Sequence, residues 1–264
     1  MEVPPVSELL VDDADGVRTF TLNRPESYNS FTVALKERLL AAVQETAEDE
    51  AVRAVVITGA GKAFCAGQDL KEHVALLEAG DPAPLHTVEQ HYNPLVKAIV
   101  AMPKPVIAAV NGMAAGAGAS LAYASDLRVA AASAKFLMAF ANVGLTADSG
   151  ASWTLPRLIG HGRAMEMMLL AQPVDAEEAL RIGMVNQVVP DGEALSTAQA
   201  LARKLAAGPT VAYAKIKEAM AFSGELAAAL EVEARTQAEA GATADHREAV
   251  AAFVEKRQAH FKGR

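Results

Sequence analysis

Hydrophobic residues follow two different periods along this chain. Val17 to Leu22 alternates, the two-residue period of a strand, and stops at Asn23-Arg24-Pro25. From Thr32 to Glu48 the period lengthens. Phe31, Leu35, Leu39 and Val43 recur every four residues and predict an amphipathic helix. Ala54 to Thr58 is apolar without interruption, as a strand buried on both sides requires, and Gly59-Ala60-Gly61-Lys62 then turns the chain. Val88 to Ala101 predicts a further helix and Val106 to Val110 the next strand. Strands and helices that alternate in this way predict an α/β core.

Three regions need separate treatment. Asp69 to Gln90, which contains Gly80-Asp81-Pro82-Ala83-Pro84, follows neither period and predicts a mobile surface segment beside whatever the preceding loop binds. From Ala194 onward the chain is alanine-rich and helical, broken at Gly208-Pro209, Ser223-Gly224 and Gly241, with no strand pattern. Two regions follow: a core over residues 1–193 and a helical C-terminal region over 194–264. Val106 to Ser125 carries no charge and holds Gly112 and Gly116 in a G-x-x-x-G, the profile of a candidate membrane helix. Asn111-Gly112, however, is a turn signal that splits it into a β-branched strand and an alanine-rich buried helix.

Composition narrows the function. At 264 residues and 52% hydrophobic content the chain can bury a substantial core. Its net charge of −8 argues against nucleic acid as a partner. Cys65 is the only cysteine, so no intramolecular disulfide or cysteine-rich zinc site forms, which fits a reducing cytoplasm. The start, Met1 to Gly16, lacks the basic end and apolar centre of a signal peptide. The six histidines include no H-E-x-x-H, no metal site is expected, and His73, His86 and His91 suit a solvated surface.

Familiar catalytic loops are absent. Gly59-Ala60-Gly61-Lys62 fails as a phosphate loop, because Val56 holds the first glycine position and Ala63 follows the lysine. Gly116-Ala117-Gly118 does not continue to the third glycine of a dinucleotide site. No G-x-S-x-G occurs, and Cys65 suits a small buried hydrophobe. What remains is two glycine-containing turns, each after a buried strand: Ala63 to Leu70 and Gly112 to Ala122. Ser120 is the one side chain of the second able to do chemistry, and it has no evident base. Two such turns can aim main-chain N–H groups at one oxygen, and a helix beginning near Ala115 would add its positive end. That geometry holds an enolate. The same small residues also permit close helix–strand packing, and the residues alone leave both readings open.

Read in order, Asn23-Arg24-Pro25, Ala63 to Leu70, Lys104 to Gly112, Ala124 to Leu127, Gly183 to Asn186 and Ala252 to Arg257 resemble the crotonase, or enoyl-CoA hydratase/isomerase, superfamily over nearly the whole chain. The resemblance implies the crotonase (ClpP-like) fold, an α/β spiral of β-β-α units. It also implies a helical C-terminal region used for assembly into a homotrimer or a hexamer of two trimers. The implied substrate is an acyl-CoA, with coenzyme A entering as part of the thioester and no separate cofactor, nucleic acid or membrane involved. The resemblance places the two amide donors on Gln68 and Ala117. It places Ala66, Gln68, Asp69, Leu70 and Lys71 along the coenzyme A arm, and Phe253 and Lys256 at the nucleotide end of a neighbouring subunit's ligand.

The two glutamates of the hydratases in this family fall on Ser120 and Phe140. One acid lies on the next turn: Asp148, within Asn142 to Gly150. Its position before Ser149-Gly150-Ala151-Ser152 also suits a helix N-cap. Family members with a single aspartate here shift a double bond without adding water, so the resemblance makes Asp148 the catalytic base, its pKa raised in an apolar pocket beside Phe140 and Trp153. His91 to Val96, Phe64 to Leu70, Gly112 to Leu121 and Ala134 to Phe140 further resemble members that rearrange a ring epoxide. Ala147 stands where those members usually have proline, and Ser149-Gly150-Ala151 where they have paired glycines. The expectation is an acyl-CoA isomerase. The alternatives are an enoyl-CoA hydratase drawing an acid from Glu72, Glu78 or Glu89, and a non-catalytic acyl-CoA-binding or RNA-binding relative.

Overall fold

In the computed structural model, which describes residues 7–264, the chain steps repeatedly between two sheets. The strands are β1 (Leu9–Ala14), β2 (Val17–Leu22), β3 (Ala54–Gly59), β4 (Ala63–Cys65), β5 (Val106–Val110), β6 (Met113–Ala115), β7 (Leu127–Ala131), β8 (Lys135–Leu137), β9 (Val174–Asp175) and β10 (Gln187–Val189). One sheet has the order β1-β2-β3-β5-β7-β10, antiparallel only at β1–β2; the other has the order β4-β6-β8-β9. The pairs β3–β4, β5–β6 and β7–β8 each pass from the first sheet to the second. The first five helices are α1 (Val33–Glu48), α2 (Leu70–Glu78), α3 (Asn93–Ala101), α4 (Ala117–Ala124) and α5 (Ala151–Ile159), and α2, α4 and α5 follow those three pairs. This is the expected β-β-α spiral.

Strands buried on both sides need cover on both sides, and two sets of residues supply it. On one face Val55, Ile57, Val106 and Ala108 join Leu35, Leu39 and Val43 of α1 and Leu95 and Ile99 of α3. Thr32 caps α1, its Oγ1 accepting the Leu35 N–H at 3.0 Å. Helices α6 (His161–Leu170) and α7 (Ala176–Arg181) follow α5, and α8 (Ala194–Ala206) covers the other face. There Ala54, Val56, Ile107 and Ala109 meet Ala194, Ala198, Ala202 and Ala206, an i, i+4 stripe that lets the helix lie close on the sheet. The helical run expected over 194–264 therefore begins with a helix that covers the central sheet.

The rest of that run is α9 (Thr210–Ala221), α10 (Leu226–Gly241) and α11 (Ala244–Glu255), with breaks where glycine and proline predicted them. Lys217 of α9 is held at 2.7 Å from Asp126 and also donates to the Lys104 carbonyl at 3.0 Å. Two elements depart from the expected pattern. Val88–Tyr92 forms a π-helical turn ahead of α3, and residues 69–90 contain a formed helix, α2, capped by the Asp69 side chain. The uncharged run from Val106 divides into β5, β6 and α4, and no helix among the described residues is long and apolar enough to cross a membrane.

The packing makes one stability contrast testable. A Cβ on Gly118 would stand 2.2 Å from the Cys65 carbonyl oxygen, whereas one on Gly162 in α6 would meet nothing within 4 Å. Gly118→Ala is expected to cost about 2 kcal/mol or more, and Gly162→Ala to stabilise by roughly 0.5 kcal/mol, both read by urea unfolding.

Candidate active site

The first turn, Ala66 to Gln68, leaves β4 and lies directly on the start of α4. Gly67 has φ +91°, and a Cβ there would stand 2.9 Å from the Ala115 carbonyl oxygen and 3.3 Å from the Ala117 nitrogen. Only glycine accommodates that approach without displacement. The turn is pinned to the segment before α1: Ala66 N–H donates to Tyr28, Phe31 N–H donates to Gly67, and Asp69 N–H donates to Phe31. The Gln68 N–H lies between these and has no acceptor among the described residues.

The second turn ends at Gly116, whose φ of +51° and ψ of −126° are accessible to glycine alone. Its N–H donates to Leu137, and no side chain caps the helix. Ser120 N–H closes the first helical bond on Gly116, and the Ala117 N–H, at the positive end of α4, has no acceptor among the described residues. Gly67 thus brings the Gln68 turn against Ala117. The packing reading of these glycines is seen at Gly67 and Gly118, and among the described residues neither the Gln68 nor the Ala117 amide has a protein acceptor.

Ser120 is fully buried, its Oγ donating to the Gly116 carbonyl at 3.1 Å. The Phe140 ring tip lies 3.8 Å from where a Cβ on Gly116 would stand. An apolar ring therefore occupies the entrance to α4. Burial pushes the Cys65 thiol up to about 12, which removes it as a nucleophile.

Asp148 does not cap a helix. Gly150 is the N-cap of α5, and Asp148 contributes only its main-chain carbonyl, which accepts the Ala151 N–H at 3.0 Å. Its carboxylate accepts one hydrogen bond, from Ser149 Oγ at 2.7 Å. Burial raises the proton affinity of this carboxyl, and the Ser149 hydroxyl and the Lys36 charge offset only part of that rise. The loop is tightly built, with left-handed φ at both Ser149 (+52°) and Gly150 (+76°), and it packs on Val96 of α3. Trp153, expected beside Asp148, is one-third exposed, stacks under Arg157 at 3.9 Å and lines a groove of about 730 Å³ with Val96, Val100, Met102 and Ala221.

Among the residues expected along the coenzyme A arm, Ala66, Leu70 and Lys71 are exposed at the turn and the first turn of α2. The Asp69 carboxylate is otherwise engaged: Oδ1 accepts the Lys71 N–H at 2.9 Å, and Oδ2 accepts Arg24 at 2.8 Å and Ser30 Oγ at 3.2 Å. Burial alone would push its pKa up, but Arg24 and the α2 amides outweigh burial and hold it below the ordinary value. Asp69 anchors the turn, and its side chain is not free for a ligand. Phe253 is 86% exposed, and Lys256 is exposed at the C-cap of α11 with φ +55°.

Three residues at this site are missing from the sequence-based set. Lys36 is wholly buried, donates to Gln68 Oε1 at 3.0 Å and to Thr87 Oγ1, and sits 4.7 Å over the Tyr92 ring. Tyr92 donates to the same Gln68 oxygen at 2.6 Å. Ser149 completes the set. Lys36 was legible in principle, since it lies four residues after Thr32 and three before Leu39, on the apolar face of α1. His91, expected on the surface, is partly buried beside Thr87, and burial lowers its pKa.

A family model for enoyl-CoA hydratase/isomerase matches residues 12–264, and the chain belongs to that family. It is similar to the 1,2-epoxyphenylacetyl-CoA isomerase of Escherichia coli K12, at 46% identity over 253 residues, covering 94% of this chain and 96% of that protein. It is equally similar to a Rhodobacter capsulatus protein named "Probable enoyl-CoA hydratase", at 47% over 254 residues, covering 95% and 96%. A solved Mycobacterium abscessus structure described as a putative enoyl-CoA hydratase/isomerase matches with a TM-score of 0.92 and 42% identity, over 97% of this chain and 100% of that one. The crotonase fold is thereby established for this chain.

The Ser149 contact gives a prediction. Ser149→Ala removes the one hydrogen bond to the Asp148 carboxylate, so the Asp148 titration midpoint should rise further, as followed by carboxyl 13C NMR. A midpoint that stays or falls would contradict the assigned contact.

Proposed function

We propose that this chain is an acyl-CoA isomerase that works through a thioester enolate. The observation that carries the reading is Asp148, a half-buried carboxyl that caps no helix and whose proton affinity is raised toward that of a useful base. For a 3-enoyl-CoA, the Asp148 carboxylate removes an α-proton. The C–H electrons pass into the carbon chain, and the thioester oxygen takes the negative charge. The Gln68 and Ala117 amides, unpaired among the described residues, donate to that oxygen. Asp148 then returns its proton to the γ carbon, leaving the double bond between the α and β carbons. No water is added or lost. In the same site a ring epoxide next to the thioester arm would rearrange with its electrons drawn to the same held oxygen, in line with the similarity to the E. coli isomerase.

The second reading is hydration, favoured by the name of the Rhodobacter relative. It needs a second acid–base group, since Ser120 and Phe140 stand where the hydratase glutamates fall. Of the three candidates between Asp69 and Gln90, Glu72 is the one whose charge acts on Lys36 and Tyr92, while its Oε2 accepts the Val33 N–H at 2.9 Å.

Ala66, Leu70 and Lys71 would follow the coenzyme A arm in this reading. Phe253 and Lys256 would serve the nucleotide end of a neighbouring subunit's ligand in a homotrimer or a hexamer. Phe253, Val254 and Val250 expose apolar surface that assembly would cover. The working compartment would be the reducing cytoplasm.

Three measurements test this reading. Asp148→Asn should lower conversion of 3-enoyl-CoA to 2-enoyl-CoA by about 10²-fold or more, with CoA-ester affinity changed little; unchanged turnover would remove Asp148 from the mechanism. Wild-type turnover should fall with decreasing pH through a midpoint above the ordinary carboxylate range, because the base must be ionised and burial favours its protonated form. Crotonyl-CoA should yield little 3-hydroxybutyryl-CoA, and rapid hydration would instead establish the second reading.

A further inference from the structure

Helix α11 is held to the rest of the chain by little of its own surface. Of its twelve residues only Asp245 and Ala252 are buried, while Val250, Phe253 and Val254 are exposed. A short helix with so small a buried face needs an outside anchor. The anchor is the segment that follows it. Lys256, with φ +55°, closes the helix, and the Arg257 N–H donates back to the Ala252 carbonyl at 3.0 Å. Residues 257–264 then run back along α11 toward its first turn. Glu248 Oε1 accepts the Arg257 guanidinium at 2.6 Å and the His260 N–H at 2.9 Å. Nearer the start of the helix, Asp245 Oδ1 accepts the Lys262 N–H and Oδ2 the Gly263 N–H, both at 2.7 Å.

Asp245 is the centre of this arrangement. A carboxylate in the first turn of a helix is favoured by the helix dipole even when it faces water. This one is only 3% exposed, and both of its oxygens are taken by main-chain amides of the returning segment. Hydrogen bonds to a carboxylate are among the stronger ones, which offsets the cost of burying it. The segment is seated on the core in turn. Arg53, the residue before β3, donates to Thr210 Oγ1 at 2.9 Å, to the Gly208 carbonyl and to the Phe261 carbonyl at 3.3 Å. Gly263, with φ +79°, lies so near that a Cβ would stand 3.0 Å from Thr210 Oγ1 and 3.1 Å from Arg53 Nε. One line of contacts thus runs from the central sheet through Arg53, Phe261 and Gly263 to Asp245 and α11.

We propose that Asp245 and Arg53 are positioning residues that act through Phe253 and Lys256. The returning segment they hold sets where α11 presents these two side chains to the nucleotide of a neighbouring subunit's acyl-CoA. The inference rests on the reading of Phe253 and Lys256 given above. Phe253 is 86% exposed and reaches out from the last turn of α11, with Lys256 at its C-cap. Side chains of this kind add affinity in full only when the helix that carries them is fixed before the ligand arrives, because ordering them on binding costs free energy. The proposed proton transfer takes place at Asp148, so loosening α11 weakens nucleotide binding and leaves the chemical step alone.

The test compares Asp245→Ala, Arg53→Lys and Gly263→Ala with the parent in the full chain, folding being checked by thermal unfolding. Gly263→Ala removes no hydrogen-bonding side chain and stands in if either of the others does not fold. Amide hydrogen exchange follows α11, and turnover is measured with a 3-enoyl-CoA and with the matching N-acetylcysteamine thioester, which lacks the nucleotide. Exchange in α11 should become faster in the variants while β3 and β5 stay protected. KM for the CoA thioester should rise about tenfold, the order expected when two long side chains are ordered only on binding, with kcat changed little. KM for the N-acetylcysteamine thioester should stay at the parent value. Parent-level protection of α11 in the folded variants overturns the proposal, as does a KM that rises equally for both thioesters. A loosened α11 with an unmoved KM overturns it too, and Phe253→Ala and Lys256→Gln then decide the reading beneath it. If KM for the CoA thioester is unmoved in those variants as well, the nucleotide reading of Phe253 and Lys256 fails; if it rises, only the role of Asp245 and Arg53 is struck.

Discussion

The site depends on how closely the turn after β4 can lie on the first turn of α4. Two missing Cβ atoms set that distance. At Gly67 a side chain would meet Ala115 and Ala117, and at Gly118 it would meet the Cys65 carbonyl. With both absent, the Gln68 turn lies against Ala117, and among the described residues neither amide has a protein acceptor. Backbone groups held this way have less freedom than a long side chain would. The residues around it serve that geometry. Phe31 pins the turn by two main-chain hydrogen bonds, and the buried Arg24–Asp69 pair fixes its far end while capping α2.

Electrostatics gives the site its direction. At the two positions where the resemblance to the family's hydratases places their glutamates, Ser120 is spent on the Gly116 carbonyl and the Phe140 ring lies at the entrance of α4. The Asp148 carboxyl is partly buried, and burial favours its protonated form, with one serine hydroxyl and one lysine charge pulling the other way. One group that accepts a proton at one carbon and returns it at another suits isomerisation. Adding water across a double bond calls for a second such group.

The central sheet was largely legible in the sequence. β2 and β5 have the bounds their periods gave, β3 runs one residue further, and α1 begins at its threonine cap. The C-terminal breaks fall at the predicted glycines and proline. These features are local: a period, a cap or a breaker acts through neighbours in the chain. α2 was not read from the sequence although Leu70, Val74 and Leu77 stand at i, i+4 and i+7, because the helix is only nine residues long and these side chains are exposed. β6 was missed because three residues are too few to show alternation.

At the site the division is sharper. The sequence by itself determined the glycines at 67, 116 and 118, the aspartate at 148 and the absence of the two glutamates, because residue identity decides backbone freedom and available chemistry. Only the tertiary structure decided that Asp148 caps no helix, that Asp69 is spent on Arg24, and that α8 covers the central sheet. It also decided that Lys36 is buried against Gln68 and Tyr92. Except for Asp148, whose carboxylate is taken by the adjacent Ser149, each of these turns on which partner reaches a group from tens of residues away. Hydrogen-bond competition and burial are properties of the packed chain, and no local pattern encodes them.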